Sequence, residues 1–349
     1  MNMQSPQKVS RLRGDRVTLA HGGGGKAMRD LIEEVFTDVF EPPGDEDQAR
    51  LVADSLQEPG AQLAFTTDSF VVSPVVFPGG DIGKIAVCGT VNDLAVGGAR
   101  PLWLSAAFII EEGCEISLLR QIVHSMEAEA RAAGVRIVTG DTKVVERGSA
   151  DKVFITTSGV GVIPPNRDLR ASAIRPGDVA IVNGVLGDHG ATILAARGDM
   201  ALNAAIRSDC QSLNGLIETV IAAAPGLRAA RDATRGGLAS CLNEMADAAG
   251  VSIEIDETAL PLRAEVKGVC EVLGLDPLYL ANEGTMVLFV PPEQVDQTLA
   301  AMREHPAGTQ ATAIGTVGEG PSGRVTMRTL FGGARLVDML VGEQLPRIC

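Results

Sequence analysis

The sequence patterns that predict strands and helices fall into two successive sets along this chain. The first set lies within residues 45–163 and the second within residues 172–330 of the 349-residue chain. A polar stretch that begins with two consecutive prolines separates them, as expected for a linker. Neither set has the regular βαβ spacing of one large parallel sheet. The sequence therefore predicts the α+β class, with two sandwich domains that each place helices against one face of a mixed sheet.

Apolar periodicity predicts most of the individual elements. Alternating or continuous apolar runs predict strands over residues 62–65, 103–110, 135–138, 153–163, 179–182, 251–255, 285–290 and 312–318. Helical spacing predicts helices near Ala191 and Leu216 and over residues 83–96, 115–133, 237–249 and 293–302. Residues 1–44 are expected to form an arm with a glycine-rich loop, and residues 331–349 to form a flexible tail.

The charge balance argues against nucleic acid as the main ligand. The chain has 30 Lys and Arg against 44 Asp and Glu, for a net charge of −14, whereas binding to a phosphate backbone needs clustered basic residues. No apolar run is long enough to span a bilayer, and residues 1–16 lack the apolar core of a signal peptide. We therefore expect no nucleic acid or membrane partner and a cytoplasmic location.

Cysteine usage indicates a reducing compartment and one special thiol. None of the six cysteines belongs to a CxxC pair, which excludes the usual zinc and thioredoxin-type spacings. Cys349 stands last in the sequence, where a thiol on a flexible segment is expected to act as a carrier that swings into an active site. Four other cysteines have surroundings typical of small core residues: Cys88, Cys210, Cys241 and Cys270.

A run of four glycines predicts a loop that contacts phosphate. Its backbone N–H groups can wrap around an anion, and the helix N-terminus that follows adds positive potential. The loop is not a Walker motif, because Ala27 replaces the hydroxyl residue that would bind magnesium. The alternative is a mobile hinge. The candidate nucleotide contacts are His21, Gly22, Gly23, Gly24 and Lys26.

A second glycine loop precedes the predicted helix over residues 237–249. It also offers backbone N–H groups and a helix N-terminus to an anion. The alternative is an ordinary helix cap followed by close helix packing. The candidate nucleotide contacts here are Asp232, Thr234, Gly236 and Gly237.

Three aspartates are candidates for metal ligands. Asp68 and Asp141 each follow a predicted strand, where a single aspartate is usually a turn or helix cap. Asp93 lies inside an otherwise apolar helix, where a carboxylate needs a partner such as a metal ion. Asn92 beside it adds a neutral oxygen ligand or a hydrogen-bond donor. As a set, these residues suit magnesium held on triphosphate oxygens.

Glu283 lies beside a glycine in an apolar segment that enters a predicted strand. Burial there would raise the pKa of its carboxyl group and suit it to proton transfer. The alternative is a structural glutamate that caps the loop.

Six segments, in chain order, are similar to the HypE family of hydrogenase expression/formation proteins. This family belongs to the superfamily of aminoimidazole ribonucleotide synthetase and selenophosphate synthetase. The resemblance extends over nearly the whole chain from Val17, and the last segment is the most specific match. The segments are His-Gly-Gly-Gly-Gly (21–25), Thr-Thr-Asp-Ser (66–69), Val-Asn-Asp-Leu-Ala (91–95), Thr-Gly-Asp-Thr-Lys (139–143), Ala-Asn-Glu-Gly (281–284) and Pro-Arg-Ile-Cys (346–349).

The resemblance implies an enzyme of [NiFe]-hydrogenase maturation that uses ATP and Mg²⁺ to dehydrate a carbamoyl group. The carbamoyltransferase HypF would load this group on Cys349, and the resulting thiocyanate would donate cyanide to iron in the HypC–HypD complex. Glu283 would be the base, and Lys143 would assist charge stabilisation or proton transfer. The resemblance also implies that residues 45–163 bind ATP and metal and form a homodimer. The metal ligands would be Asp68, Asp93 and Asp141.

Two alternative functions stay open at this point. One is another ATP-using member of the superfamily, which phosphorylates a small substrate and has no role for Cys349. The other is a non-catalytic scaffold, which docks maturation partners through its tail and tolerates the loss of Asp93 or Glu283.

Overall fold

The structure is a computed structural model that describes residues 12, 14–43, 48–52, 54–198, 206–340 and 347–349. No helix among these residues is both long and apolar enough to cross a membrane. The helices are α1 (Lys26–Leu31), continued by a π-helical stretch (Ile32–Thr37) and α2 (Asp38–Phe40), then α3 (Ile82–Val96), α4 (Ile116–Ala133), α5 (Asp188–Arg197), α6 (Asn214–Ala223), α7 (Gly237–Ala249), α8 (Ala264–Leu273) and α9 (Val295–Glu304). The strands are β1 (Gln62–Phe70), β2 (Val76–Phe77), β3 (Gly80–Asp81), β4 (Arg100–Glu111), β5 (Arg136–Val145), β6 (Val153–Ile163), β7 (Val179–Val182), β8 (Ala229–Asp232), β9 (Ser252–Asp256), β10 (Met286–Val290), β11 (Thr312–Gly318), β12 (Arg324–Arg328) and β13 (Ala334–Leu336).

The first domain is a sheet of strand order β1-β6-β4-β5 with α3 and α4 packed on one face. β4 and β5 are parallel, and the other neighbouring strands are antiparallel. α3 begins where the Asp81 side chain accepts a hydrogen bond from Lys84 N, and α4 ends at Gly134 in the left-handed conformation. The two helices can approach closely because Gly83 of α3 has no side chain. An added Cβ there would lie only 2.4 Å from the Ile122 carbonyl oxygen of α4.

The opposite face of the first sheet has no helix over it within the described chain. Alternate residues of β1 point away from α3, so Leu63 and Phe65 are 59% and 68% exposed. Ile109 of β4 is 42% exposed on the same face. An exposed apolar surface of this kind is typical of a contact with another protein.

The second domain is a sheet of strand order β13-β12-β9-β11-β7-β10-β8. Helices cover both of its faces: Val287 and Phe289 of β10 pack with α7, whereas Met286 and Leu288 pack with α6 and α9. The prediction of helices against one face is therefore wrong for this domain. A strand that is buried on both faces has a continuous apolar sequence, and β10 reads Met-Val-Leu-Phe-Val.

The second domain extends beyond its predicted end. Ala334–Leu336 forms β13, which pairs antiparallel with β12, and Val337 is completely buried. The prediction of a flexible tail from Phe331 onward is therefore wrong for these residues. A three-residue edge strand is too short to show a clear alternation of apolar and polar residues.

Residues 347–349 lie at the junction of the two domains. Ile348 is 4% exposed and belongs to an apolar cluster of the first domain that also includes Ala281 of the second. Residues 341–346, which link this segment to the second domain, are outside the described residues. The docked segment brings Cys349 to the boundary between the domains.

Candidate active site

A cavity of about 510 Å³ lies between the two domains. Asp93 and Val96 of α3 form its wall on the side of the first domain, and Asp232, Thr234 and Gly237 contribute to the wall of the second. Ligand pockets typically occupy roughly 300–1,000 Å³, so this volume suits a nucleotide. The cavity therefore brings together candidates from both halves of the sequence.

Three carboxylates lie within electrostatic reach of one another, and two of them, Asp93 and Asp232, line this cavity. Asp68 points from β1 toward α3, where an added Cβ at Gly89 would be 3.7 Å from its Oδ2. Asp93 accepts a hydrogen bond of 2.8 Å from Thr66 Oγ1. Burial raises the pKa of Asp68 and of Asp93. Burial, and next to it the charge of Asp93, raises the pKa of Asp232 to about 7.

These oxygen donors fit a hard divalent cation such as Mg²⁺. A cation would also relieve the repulsion between the carboxylates. No three acidic, histidine or cysteine side chains of the described residues lie close enough to hold an ion as they stand. Mg²⁺ usually completes its ligand set with phosphate oxygens and water, so a partial protein set is sufficient. The position of Asp232 favours a role at the metal rather than the predicted contact with the nucleotide alone.

Glu283 and Cys349 lie together beside Arg235, which lines the cavity. Arg235 Nη2 is 3.6 Å from Cys349 Sγ. Burial, and next to it the charge of Glu283, raises the pKa of the Cys349 thiol to about 12. Burial, followed by the charges of Asp209 and Asp232, raises the pKa of Glu283 well above its usual value. A thiol, a guanidinium and a buried carboxyl group are therefore neighbours at one side of the cavity.

Asp209 fixes the backbone around Glu283. Its carboxylate accepts hydrogen bonds of 3.0 Å from the N–H groups of Glu283 and Gly284 and from Thr285 Oγ1. An added Cβ at Gly284 would lie 1.9 Å from the Asp209 carbonyl oxygen, so only glycine fits there. Glu283 is 2% exposed, and its Oε1 has no hydrogen-bond partner within the described chain. A buried oxygen without a partner is costly, which favours a group that awaits a substrate.

The second glycine loop needs glycine for its backbone angles and for its close packing. Gly236 and Gly237 have φ angles of +78° and +61°, which favour glycine. An added Cβ at Gly237 would lie 2.4 Å from the Leu278 carbonyl oxygen. The close-packing interpretation is therefore supported for these glycines. Thr234 lines the cavity, and its contact with a nucleotide stays a prediction.

Asn92 connects the two domains. Its Nδ2 donates to the Gln211 carbonyl at 3.1 Å, and its Oδ1 accepts from Leu213 N at 2.7 Å. The side chain is buried, so these contacts do not support the predicted contact with a cofactor or metal, which stays a prediction. Successive helical residues point about 100° apart, which turns Asn92 toward the second domain while Asp93 faces the cavity.

Asp141 and Lys143 are remote from the cleft of their own chain. They lie on β5, and Asp68 lies on β1 at the other edge of the sheet. Their side chains share the uncovered face with Ile109, which pairs with Lys143, whereas Asp68 points toward α3. Lys143 Nζ bonds to the Asp141 carboxylate and lowers the pKa of that group. Within a single chain, Asp141 and Asp68 therefore lie at opposite edges and on opposite faces of the sheet. The predicted roles of Asp141 at the metal and of Lys143 in the reaction stay predictions.

The first glycine loop packs against β5 and not against the interdomain cavity. His21 is buried, and its Nδ1 accepts a hydrogen bond of 2.9 Å from Thr18 N. An added Cβ at Gly22 would lie 2.9 Å from Val144 Cβ of β5. His21 and Gly22 therefore shape the loop, and their contact with a nucleotide stays a prediction.

Part of this loop lines a second cavity, of about 790 Å³, together with Asp141. Gly24 lies there in the left-handed conformation, and Lys26 Nζ pairs with Asp30 at 2.7 Å. The structure thus divides the candidates into two sets. The cleft group comprises Asp68, Asp93, Asp232, Thr234, Gly236, Gly237, Glu283 and Cys349. The edge group comprises His21, Gly22, Gly23, Gly24, Lys26, Asp141 and Lys143.

Three further residues of the cleft were not predicted. Arg235 stands inside the second glycine loop, and a guanidinium among glycines is a usable signal for anion binding. The partners of Asp209 and His189 could not be predicted from the sequence, because these partners lie far away along the chain. His189 Nε2, for example, is 2.7 Å from the carbonyl oxygen of Ile348.

Comparison with known proteins identifies the domain family and related chains. Residues 46–163 match the model of the AIR synthase related protein, N-terminal domain, and residues 175–328 match that of its C-terminal domain. The carbamoyl dehydratase HypE of Rhodobacter capsulatus is 73% identical over 338 residues, which cover 97% of this chain and 99% of that protein. A solved structure of the hydrogenase maturation protein HypE in complex with ATP is 45% identical with a TM-score of 0.90, and the match covers 95% of this chain and 99% of that one. In a solved HypE–HypF complex, the matching chain is 45% identical with a TM-score of 0.77, and the match covers 89% of this chain and 99% of that one.

The fold and the cleft define a protein of the AIR synthase related class, in which two domains enclose a cavity of nucleotide size. The chain belongs to the HypE family of hydrogenase expression/formation proteins. These relatives confirm the predicted family, the predicted fold class and the predicted enzyme class.

Proposed function

We propose that this protein is an ATP-dependent carbamoyl dehydratase of [NiFe]-hydrogenase maturation. A carbamoyl group on the Cys349 sulfur would be converted to a thiocyanate and then donated as cyanide to iron. The observation that carries the proposal is the contact of Cys349 Sγ with Arg235, at 3.6 Å and beside the buried Glu283. Because Arg235 also lines the nucleotide-sized cavity, the sulfur lies close to the proposed ATP site.

The first step makes the carbamoyl oxygen a leaving group. This oxygen attacks the terminal phosphoryl group of ATP, the bond from that phosphorus to the bridging oxygen breaks, and ADP departs. The carbamoyl nitrogen gives up one proton, so an O-phosphorylated intermediate remains on Cys349. Arg235 is placed to stabilise the negative charge that the phosphoryl group brings next to the sulfur.

The second step expels phosphate. The remaining nitrogen proton is removed, the C–O bond breaks with its electron pair going to phosphate, and the carbon–nitrogen triple bond forms. Glu283 is placed to take this proton, because burial makes its carboxylate more basic. Its buried position also keeps water from hydrolysing the intermediate.

Asp68, Asp93 and Asp232 would hold Mg²⁺ in the cleft. Bound there, the ion would neutralise charge on the triphosphate. The three aspartates come from both domains, so they also orient the nucleotide relative to Cys349. Within one chain, Asp232 joins Asp68 and Asp93 in this set, whereas Asp141 lies on the other edge of the first sheet.

We further propose a homodimer that forms through the uncovered face of the first sheet. Leu63, Phe65 and Ile109 supply apolar surface that association would bury. Asp141 and Lys143 point to the same face, so association would bring them toward a second chain. In this arrangement the edge group of one subunit serves the nucleotide, the metal and the proton transfer in the cleft of its partner.

The proposed protein partners follow from membership of the HypE family. A HypF-type carbamoyltransferase would load Cys349, in line with the solved complex of a related HypE with HypF. A HypC–HypD complex would then accept cyanide on its iron. The proposed location, from the sequence, is the cytoplasm.

Intact-mass analysis tests this function. The full chain is incubated with ATP, Mg²⁺, carbamoyl phosphate and the carbamoyltransferase, and the peptide that contains Cys349 is analysed. We expect a cyano group in place of the thiol hydrogen, and no such product in a Cys349→Ala variant. Consumption of ATP with an unmodified Cys349 peptide would contradict the proposal and favour phosphorylation of another small substrate. Normal hydrogenase assembly by Cys349→Ala would favour a scaffold.

A further inference from the structure

His189 holds the peptide group that precedes Cys349. Its Nε2 is 2.7 Å from the carbonyl oxygen of Ile348. The imidazole is completely buried, and Ile348 is 4% exposed. These two residues are 159 positions apart in the sequence, so their contact exists only while residues 347–349 are docked in the cleft.

The hydrogen bonds of the imidazole fix which nitrogen carries the proton. A carbonyl oxygen only accepts, so Nε2 donates to Ile348. Ser208 Oγ accepts from Cys210 N at 3.1 Å, and its hydroxyl proton is then available for Nδ1 of His189 at 2.8 Å. Phe77 packs edge-on against the ring, with the centroids 5.4 Å apart. The result is a rigid N–H donor aimed at one carbonyl group.

His189 is not placed to exchange protons with the substrate. Burial lowers its pKa to about 4, so the ring is neutral under ordinary conditions. Both ring nitrogens are engaged by groups other than the reacting atoms. Its contribution is therefore positional.

The hydrogen bond between His189 and the Ile348 carbonyl must break whenever Cys349 reacts with another protein. In the proposed function, both the carbamoyltransferase and the cyanide acceptor need the sulfur outside the cleft. When Ile348 leaves, the buried N–H of His189 loses its partner, which is unfavourable. The histidine therefore favours the docked state of the segment over its released state.

We propose that His189 is a positioning residue that docks residues 347–349 through the Ile348 carbonyl and so places the group on Cys349 against Glu283. The catalytic part of this inference rests on the proposed function, but the docking equilibrium does not. Loss of one such hydrogen bond shifts an equilibrium by roughly tenfold.

Alkylation of Cys349 measures the docked fraction without catalysis. The docked thiol reacts slowly because it is partly buried and its pKa is about 12, so iodoacetamide reacts mainly with the released segment. His189→Phe keeps an aromatic ring but lacks the N–H donor, and it should speed alkylation of the Cys349 peptide roughly tenfold. His189→Gln can donate from near the position of Nε2 and should restore most of the protection. An unchanged rate in His189→Phe would overturn the docking role.

A double-mutant cycle separates docking from core packing. Ile348→Asp would bury a charge on docking, so it should release the segment by itself. In that background His189→Phe should change the alkylation rate little, because the two substitutions act on one contact. If His189→Phe increases the rate equally in both backgrounds, the histidine acts through general packing and the proposal fails.

Single-turnover conversion of the carbamoylated chain gives the catalytic readout. His189→Phe should slow thiocyanate formation about tenfold and leave the KM for ATP unchanged, since the residue touches the segment and not the nucleotide. A higher KM for ATP with an unchanged maximal rate would overturn the positioning role. Failure of the unmodified chain to form thiocyanate would refute the proposed function, whereas the alkylation result would still decide the docking role.

Discussion

The interdomain cleft and the outer edge of the first sheet both combine a glycine loop with carboxylates, but they differ in burial. In the cleft, Glu283 is 2% exposed, and its pKa and that of Asp232 are raised. At the edge, Asp141 is exposed and bonded to Lys143, which lowers its pKa. Crowded, buried carboxylates gain when a cation or a substrate arrives, whereas an exposed ion pair contributes little. In the proposed dimer, the buried carboxylates of one subunit's cleft would be completed by the exposed edge of the other subunit.

The largest effect is expected from a substitution of Glu283 in the buried cleft. Glu283→Gln keeps the shape of the side chain but removes the base, so thiocyanate formation should fall by about 10²–10⁴-fold. Carbamoylation of Cys349 should persist, because the carboxyl group is not needed for loading. Intact mass follows both products in one sample. A normal rate of thiocyanate formation would show that another group takes the proton.

Mixed dimers test whether the edge of one subunit serves the cleft of the other. Glu283→Gln and Lys143→Ala chains should each be nearly inactive alone. In a hybrid dimer one complete site would be restored, so an equal mixture after subunit exchange should reach about one quarter of the activity of the unmodified protein. If Lys143 and Glu283 act in the same chain, the mixture will stay inactive and the two-subunit site must be abandoned.

The uncovered face can be tested without any assay of activity. Phe65→Asp places a charge where association would bury it, and it should weaken dimerisation by at least about 100-fold. Val272 of α8 is similarly exposed, at 65%, and Val272→Asp is the matched control that should leave the assembly unchanged. Sedimentation velocity measures both. Equal sedimentation of the two variants as dimers would remove this face from consideration.

The smallest expected effect separates two neighbours on α3. Asn92→Ala should lower the free energy of unfolding by about 2 kcal/mol, because Leu213 N loses its acceptor in a buried site. Asp93→Asn should preserve stability, because it removes a buried charge that repels Asp68, but it should abolish thiocyanate formation. Urea unfolding and the mass assay on both variants provide the check. The reverse pattern would exchange the roles assigned to these residues.

Elements with one clear period could be predicted from the sequence. The helix predicted over residues 115–133 is found at Ile116–Ala133 with Gly134 as its C-cap, because its apolar residues repeat on one face. Ala229–Asp232, which forms β8, was not predicted. Two of its four residues are charged, and it is a strand only because it pairs with β10. Long-range pairing of that kind leaves no local pattern.

For the candidate site, the type of each residue could be predicted better than the direction in which its side chain points. Asp68 and Asp141 occur in similar strand segments, and only the register across β6 and β4 shows that they point to opposite faces. Asn92 and Asp93 differ by one step of a helix, yet one joins the domains and the other faces the cavity. Glu283 was found because a carboxyl group in an apolar segment is a local signal, whereas the partner of His189 lies at the far end of the chain.

Arg347 is tied to both domains at once. Its carbonyl accepts from Ser73 N of the first domain and from Arg197 Nη2 of the second, and its guanidinium pairs with Asp151 of the first. Because residues 347–349 contact both domains, their docking is favoured by anything that holds the two domains together. Docking in turn holds the two domains together. If ATP binds more tightly when the two domains are held together, thermodynamic reciprocity requires ATP binding and the docking of residues 347–349 to strengthen each other by the same factor. The lifetime of bound nucleotide would then determine how long Cys349 stays in the cleft before the segment is released.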